Sequence, residues 1–110
     1  MTEIFREELV QRITKNLLDV QILRLVQTKS MWGYKIKKEV ESLFNVKLRH
    51  SSLYPLLKKL EQNGFLTSKQ EKRGGRIRKV YTITRKGTQY LQEYKNILKE
   101  QIQKQDIIRG

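Results

Sequence analysis

Apolar side chains at the start of the chain recur every fourth position, which predicts one face of an amphipathic helix. The residues of this stripe are Phe5, Leu9, Ile13 and Leu17. After Leu17 the phase changes, and a second stripe points well away from the first. Its residues are Leu18, Ile22, Leu25 and Val26. This change fits either one long helix that wraps its neighbours or two helices that meet near residues 16–19, and we predict two helices.

The segment that follows, residues 27–33, has no hydrophobic period and contains a glycine, which predicts a loop. A helical stripe then resumes with Ile36, Val40, Leu43 and Phe44. This stripe predicts a third helix from about Gly33 to Phe44, closed by Asn45.

The next helix has clear signals at both ends. Its apolar stripe is Leu53, Leu56, Leu57 and Leu60. Ser51 or Ser52 can cap its start, and Pro55 favours Ser52 because a proline costs least in or just after the first helical turn. Asn63 and Gly64 supply a left-handed stop. The sequence therefore predicts a helix that starts within about two residues of Ser52 and ends before Gly64.

Two strand patterns follow, over residues 65–70 and 76–84. In the second pattern, Ile77, Tyr81 and Ile83 share one side of the strand, which predicts a single apolar face. Gly74 and Gly75 lie between the two patterns, and consecutive glycines permit the positive φ values of a tight turn. We therefore predict an antiparallel hairpin with a basic tip.

Thr84 is placed to cap a last helix. The apolar positions of this helix cover an arc of roughly 140°, wider than the minimum of about 100° for docking on one surface. They are Tyr90, Leu91, Tyr94, Ile97, Leu98 and Ile102. Since three helices and a sheet already cover the body of the domain, the wide arc favours a contact with a second subunit.

The order helix, helix, helix, hairpin, helix predicts a winged helix–turn–helix domain, a mainly α fold of the α+β type. A length of 110 residues suits one domain. We divide it into an N-terminal helix at residues 1–17, a winged core at residues 18–84 and a C-terminal helix at residues 85–110.

The net charge of +13 comes from 24 Lys and Arg residues against 11 Asp and Glu residues. Residues 1–34, 35–68, 69–87 and 88–110 carry +1, +4, +7 and +1, so the excess lies in the middle of the chain. A surface kept basic only for solubility has no reason to concentrate its charge in one block. The pattern favours a polyanionic partner, and nucleic acid first.

Several other classes of function find no support. No cysteine is present, which excludes disulfides, thiolate catalysis and cysteine metal sites. His50 is the single histidine and no nucleophile has a nearby base, so we predict neither an enzyme nor a metal or other cofactor. The most apolar stretch, residues 17–26, is interrupted by Asp19, Gln21 and Arg24, and no signal-peptide pattern opens the chain. We therefore predict no membrane span and a cytoplasmic location.

Polar and basic residues lie opposite the leucine stripe of the fourth helix. The major groove of B-DNA admits such a helix, and its base edges bond with Ser, Lys or His side chains. The basic hairpin forms a wing whose cations suit phosphates or a minor groove, and lysines that open the third helix suit phosphates across the groove. The candidate DNA-binding residues from these patterns are Lys35, Lys38, Arg49, His50, Ser51, Ser52, Lys58, Lys59, Arg73, Arg76, Arg78 and Lys79.

Three stretches resemble the PadR family of transcriptional regulators. They are residues 33–36, residues 52–66 with the run Leu-Tyr-Pro-x-Leu-x-x-Leu-Glu, and residues 78–87. The resemblance covers roughly residues 18 to 100 and implies a homodimeric repressor that binds double-stranded DNA. It implies a recognition helix at residues 51–62 and a wing at residues 69–79. It also adds Tyr34 and Tyr54, which match motif positions near the DNA backbone, to the candidate DNA-binding residues.

The resemblance further implies that the C-terminal helix packs against the N-terminal helix of the partner subunit. The candidate interface residues are Phe5, Leu9, Ile13, Tyr90, Leu91, Tyr94, Ile97, Leu98 and Ile102. Two positions depart from the family pattern: Ser51 stands where Gly or another small residue is common, and Trp32 where His is common. For this reason the base preference of the family is not carried over to this chain.

Two rival functions stay open. A winged helix that binds RNA or single strands would explain the charge, but the hairpin offers only Tyr81 for stacking on bases, and its parity places it inside. A protein-interaction adaptor would not need surplus charge around the helix and the wing. Trp32 is predicted to pack beneath its loop rather than to line a ligand pocket, so a small-molecule effector is left open and is not predicted.

Overall fold

The computed structural model describes residues 2–103, except for the side chain of Arg73. The helices are α1 (Thr2–Asn16), α2 (Leu18–Thr28), α3 (Gly33–Phe44), α4 (His50–Gln62) and α5 (Arg85–Gln103), and the strands are β1 (Met31–Trp32), β2 (Leu66–Arg73) and β3 (Arg76–Ile83). This order confirms the predicted winged helix–turn–helix fold. Residues 104–110, which the sequence assigns to the last helix, lie outside the described residues.

The core is built by one face each of α2, α3 and α4. Ile22, Leu23, Ile36, Leu53 and Leu57 are completely buried within it. Burial of side chains of this size stabilises a fold by about 1.5–3 kcal/mol each, which makes this three-helix contact the main source of stability. The core therefore fixes the position of α4 relative to α3.

Helix α1 contributes little to this core. Thr14 is its one buried residue, whereas Phe5 is 58% exposed, Leu9 48% and Ile13 52%. The predicted break after α1 is confirmed, because Leu17 has φ −107° and ψ 27° and separates α1 from α2. The first three residues of the stripe are thus left exposed by the described part of the chain, whereas Leu17 packs against the core.

The predicted loop at residues 27–33 is wrong in part. Helix α2 continues to Thr28, and Met31 and Trp32 form β1, which pairs antiparallel with Tyr81 and Val80 of β3. A strand of two residues is too short to show a hydrophobic period, and its partners lie far along the chain. Local sequence therefore gives no sign of this third strand.

The predicted serine cap of α4 is also wrong. The helix begins at His50, and Arg49 occupies the N-cap position with no side-chain hydrogen bond. The backbone carbonyl of Arg49 accepts from the N–H groups of Ser52 and Leu53, at 3.0 and 3.1 Å, so Ser52 lies inside the first turn. The start is fixed upstream instead, where the Leu48 N–H donates to a carboxylate oxygen of Glu41 at 2.9 Å.

The end of α4 follows the prediction. Gly64 has a φ of +81°, its N–H donates to the Glu61 carbonyl, and the Phe65 N–H donates to the Leu60 carbonyl at 2.9 Å. These two bonds form a Schellman motif, which terminates the helix and turns the chain into β2.

The sheet has the order β1-β3-β2, and all neighbours are antiparallel. Strand β2 extends to Arg73, three residues further than predicted, and only Gly74 and Gly75 form the turn, with φ values of +56° and +79°. Two positive φ values identify a type I′ turn and confirm the predicted hairpin. Polar residues 71–73 belong to β2 because they pair with residues 76–78, a partnership that their own composition does not signal.

The prediction of one apolar face on β3 is wrong at two positions. Ile77 is 70% exposed, because the outer half of the hairpin extends beyond the body of the domain. Val80 is buried although it lies on the opposite side from Tyr81, which is also buried. Because these two residues point to opposite sides of β3, their burial shows that the domain covers both faces of the strand at this level.

Helix α5 starts as predicted, with the Gly87 N–H donating to Oγ1 of Thr84 at 2.9 Å. Leu91, a predicted interface residue, instead lies in the core at 1% exposure. Tyr90 and Tyr94 also pack against the core, and the Tyr90 ring stacks on Phe65 at 4.1 Å between centroids. The wide apolar arc of α5 is therefore divided, with its first turns packed on this chain and Ile97 and Ile102 left exposed.

Candidate nucleic-acid interface

The outer face of α4 is polar and accessible along its length. The leucines of the opposite face hold the helix against the core, as the sequence pattern predicts. Each predicted contact residue of α4 is exposed in the structure. These residues are His50, Ser51, Ser52, Tyr54, Lys58 and Lys59, and Arg49 precedes them at the N-cap. The face offers hydroxyl, imidazole and ammonium groups in one row, a combination that can bond both base edges and phosphates.

The start of α3 meets α4 at an unusually close contact. A Cβ atom on Gly33 would lie 2.7 Å from Cε1 of the Tyr54 ring, so any side chain here would force that ring to shift. The Tyr54 ring in turn stacks on His50, with centroids 5.3 Å apart and an interplanar angle of 12°. Gly33 thus sets where the tyrosine of the family-like motif rests on the surface.

A second aromatic pair lies beside this contact. The rings of Trp32 and Tyr34 are 5.3 Å apart, and Nζ of Lys38 is 5.4 Å from the centroid of Tyr34. Tyr34 is exposed, and Trp32 is half-buried in β1 rather than packed beneath a loop. The structure therefore brings Tyr34, Lys38 and Tyr54 to one surface, although they lie on two helices.

The lysines of α3 have acidic partners on their own helix. Lys35 Nζ lies 3.7 Å from Glu39, and Lys38 Nζ lies 3.9 Å from Glu41. Both lysine side chains are about half exposed, so these are surface pairs of small energy that a phosphate could replace. Glu41 has a further role, because the hydrogen bond from the Leu48 N–H, followed by the nearby charges of Lys37 and Lys38, lowers the pKa of its carboxyl below the ordinary value of 4.5.

The wing brings its cations to the same side of the domain. Arg76 is exposed near the turn. The guanidinium carbon of Arg78 lies 3.5 Å from the centroid of the Trp32 ring, a cation–π contact between β3 and β1. The side chain of Arg73, another predicted contact residue, lies outside the described part of the structure.

Lys79, also predicted to contact DNA, has a partner on α4. Its Nζ lies 3.1 Å from Oε1 of Glu61, and Oε2 of the same carboxylate accepts a hydrogen bond from the Ser68 hydroxyl of β2. The bond from Ser68 and then the bond from Lys79 lower the pKa of the Glu61 carboxyl, and the bond to Glu61 raises the pKa of Lys79. The lowered pKa of Glu61 and the raised pKa of Lys79 both favour the charged form of this ion pair.

An open groove of about 830 Å³ separates α4 from the wing. Its aromatic lining includes Trp32, Tyr34, Tyr54 and Tyr81, and burial raises the pKa of the Tyr81 hydroxyl. Its cationic lining is Lys58, Arg76, Arg78 and Lys79. The groove joins the two predicted DNA-binding elements into one continuous basic surface.

Sequence reasoning missed the supporting residues of this surface. Trp32, Glu61 and Ser68 were not among the candidates, yet each contacts a cation of the wing or a residue that does. The one available signal was the motif itself, which ends in Glu61, a charged residue beside the buried Leu60. Within residues 2–103, no cluster of His, Asp or Glu suits a metal ion, and no helix is long and apolar enough to cross a membrane.

The chain is similar in sequence to proteins of a known family. Residues 22–93 match the transcriptional regulator PadR-like family. The negative transcriptional regulator PadR of Bacillus subtilis is 35% identical over 83 residues, which are 71% of this chain and 44% of that protein. The chain thus spans less than half the length of that relative.

Solved structures show the same relationship. The structure of Bacillus subtilis PadR in complex with operator DNA has a TM-score of 0.65 at 32% identity, over 71% of this chain and 45% of that chain. A PadR family transcriptional regulator from Eggerthella lenta has a TM-score of 0.73 at 23% identity over 92% and 91% of the two chains, which shows a shared fold. The family consists of transcriptional regulators, which confirms the prediction that the protein is not an enzyme. Because the matched residues include most of α2 and the whole of α3, α4 and the wing, the chain belongs to the PadR-like family of transcriptional regulators.

Proposed function

We propose that this protein is a homodimeric repressor that binds a pseudopalindromic operator in double-stranded DNA. The observation that carries this proposal is the continuous basic surface formed by the outer face of α4 and the wing. The relative from Bacillus subtilis is named a negative transcriptional regulator, and its structure contains operator DNA. These two names support repression and duplex DNA as the partner.

In the proposed complex, α4 enters the major groove with its polar face toward the base edges. Ser51 and Lys58 offer a hydroxyl and an ammonium group that can bond purine acceptors. Tyr34, Tyr54 and the lysines of α3 reach phosphates beside the groove, and Arg76 reaches them from the wing. The phosphate contacts fix the orientation of the protein on the DNA, whereas the base contacts select the sequence.

The proposed dimer uses large apolar side chains that stay exposed among residues 2–103. Phe5, Leu9 and Ile13 of α1 are about half exposed, and so are Ile97 and, to a greater degree, Ile102 of α5. A monomer rarely leaves so many large apolar side chains exposed without a partner. A two-fold dimer would place two copies of α4 on half-sites about one DNA turn, or about 34 Å, apart.

The test compares three polyanions by fluorescence anisotropy. The purified protein is titrated against duplex DNA from the region upstream of its own gene, random duplex DNA and double-stranded RNA, each from about 50 to 200 mM salt. We expect the upstream DNA to bind most tightly and to keep its advantage at high salt. Equal and steeply salt-dependent binding to all three would reject sequence recognition and favour a basic protein that coats nucleic acid.

A further inference from the structure

The wing is attached to α4 by three side chains, which we call the wing anchor: Glu61, Ser68 and Lys79. The carboxylate of Glu61 accepts a hydrogen bond from the Ser68 hydroxyl and forms an ion pair with Nζ of Lys79 at 3.1 Å. Ser68 belongs to β2 and Lys79 to β3. One carboxylate on the helix therefore holds both strands of the wing.

The wing anchor lies where the hairpin leaves the body of the domain. Lys69 pairs with Val80, which is buried, and the next pair outward joins Gln70 to Lys79. Beyond that pair the described side chains are exposed or half-buried, and Ile77 is 70% exposed. A projecting hairpin can bend relative to its domain at the last strand pair that is buried. Side-chain bonds at this level therefore set the angle between the wing and the domain.

Lys79 is held from a second side as well. Its Nζ lies 5.6 Å from the centroid of the Tyr81 ring, two residues along the same strand, and Tyr81 is buried. The raised pKa of Lys79 and the lowered pKa of Glu61 agree with a pair that stays charged at neutral pH. The ammonium group is thus engaged within the protein before any nucleic acid arrives.

We propose that Glu61 is a positioning residue that fixes the angle of the wing relative to α4, and that Lys79 serves this attachment rather than a DNA phosphate. The inference rests on the proposed DNA-binding function. It assigns a role to the acidic residue that closes the Leu-Tyr-Pro-x-Leu-x-x-Leu-Glu run, and it removes one cation from the predicted DNA contacts.

Glu61→Ala tests the proposal, because the two explanations predict opposite changes in operator affinity. Removal of a negative charge beside a DNA-binding surface should by electrostatics alone tighten binding. If Glu61 positions the wing, operator binding instead weakens, by about two- to fivefold for a surface pair of this kind. Glu61→Gln keeps an oxygen that can accept from Ser68 and should give a smaller loss. Tighter binding of both variants would overturn the proposal.

Lys79→Gln gives an independent measurement. A lost phosphate contact lowers the slope of log K against log salt by about 0.9, whereas a lost internal bond weakens binding at an unchanged slope. The double variant Glu61→Ala with Lys79→Gln should be no weaker than the worse single variant, because both remove one interaction. A slope that falls by one contact would show Lys79 to be a phosphate ligand and refute its assignment to the anchor.

Matched controls use residues of the same types on the same surface. Glu39→Ala removes a carboxylate that pairs with exposed Lys35 on α3, and we expect its affinity to be unchanged or slightly higher. Arg76→Gln removes an exposed wing cation and should lower the salt slope. Thermal melting of every variant identifies any loss that comes from unfolding.

The geometry of the wing is measured without DNA. Because the sequence has no cysteine, spin labels can be placed at Lys59→Cys on α4 and Lys72→Cys on β2, both exposed. With labelled chains diluted among unlabelled ones, the distance distribution should broaden or shift in Glu61→Ala and not in Glu39→Ala. An unchanged distribution would reject the anchor even if Glu61→Ala weakens operator binding. If the protein binds no operator, the proposed function is refuted. The distance between the two spin labels still decides whether Glu61 positions the wing.

Discussion

Lys58 and Arg76 lie on opposite sides of the same groove, yet their positions suit different tasks. Lys58 is on the exposed face of α4, and Arg76 is at the outer end of β3. A cation on a helix in the major groove can reach base edges, whereas a cation at the end of a wing reaches the sugar–phosphate backbone or a minor groove.

Alanine at these two positions should therefore separate recognition from general affinity. Lys58→Ala is expected to weaken operator binding by about 1–3 kcal/mol and random-duplex binding by less, since it removes a base contact. Arg76→Ala is expected to weaken both equally and to lower the salt slope by about one. Anisotropy titrations over a salt series measure both quantities. An equal loss on operator and random DNA for Lys58→Ala would contradict direct readout by α4.

Glu41 links the folding of the α3–α4 turn to pH. Its pKa in the folded protein is below the ordinary value of 4.5 because the Leu48 N–H donates to it. A carboxyl whose folded pKa is depressed stabilises the fold at pH values above 4.5, and the stabilisation is lost as the pH falls through the lower folded value.

Glu41→Ala should thus cost most at neutral pH. Urea unfolding of the native protein and the variant should show a difference in unfolding free energy that is constant above about pH 6 and shrinks toward about pH 3. Glu39→Ala, on the same helix, is the control. A difference that grows as the pH falls would mean that the hydrogen bond does not depend on the charged carboxylate.

At the residue scale, the sequence predicted which side chains are exposed more reliably than what they contact. The row of polar residues on α4 could be read from its leucine period, since a helix turns one face inward when the other is apolar. The partners of Arg78 and Lys79 could not, because Trp32 and Glu61 are brought to them by the tertiary fold. A charged residue in a sequence does not reveal whether it is already paired.

Two glycines show how helices are placed at the scale of elements. A Cβ on Gly33 would meet the Tyr54 ring at 2.7 Å, and a Cβ on Gly87 would meet the backbone carbonyl oxygen of Phe65 at 2.1 Å. A half-exposed ring can rotate away, whereas a backbone carbonyl moves only together with its chain. The same added methyl group therefore has different consequences at the two sites.

We expect Gly87→Ala to destabilise the protein by about 1–3 kcal/mol or more, because α5 must shift away from Phe65. Gly33→Ala should change stability much less, because the Tyr54 ring that its Cβ would meet can move aside. It should nevertheless weaken operator binding by displacing Tyr54. Thermal melting and anisotropy on both variants check this contrast, with exposed Gln89→Ala as control. Equal melting temperatures for the two variants would show that α5 is not held by this contact.

At the scale of the whole molecule, two sets of large apolar side chains lie outside the core. Helix α1 and the end of α5 expose Phe5, Leu9, Ile13, Ile97 and Ile102. These residues do not hold the single chain together, so a charge placed among them should disturb association and leave the fold intact.

Leu9→Glu and Ile97→Glu are accordingly expected to convert a dimer into monomers that keep the native circular dichroism spectrum. Light scattering coupled to size exclusion measures the mass directly. Ile77→Glu, at an exposed apolar residue of the wing, should leave the mass unchanged. Should the α1 and α5 variants remain dimeric, the interface lies elsewhere. A monomeric variant should also lose affinity for a two-half-site operator, because each half-site then binds alone.

The sequence by itself determined the helices, the hairpin turn, the winged fold and the position of the basic surface. These features depend on local periodicity, on the two glycines of the turn and on charge counts, all of which act over a few residues. The tertiary structure alone decided the two-residue strand β1, the start of α4 at His50, the burial of Leu91 and the attachment of the wing through Glu61. The start of α4 depends on Glu41, seven residues before Leu48, and the other three features depend on partners further along the chain. Such partners become neighbours only when the chain has folded around its core.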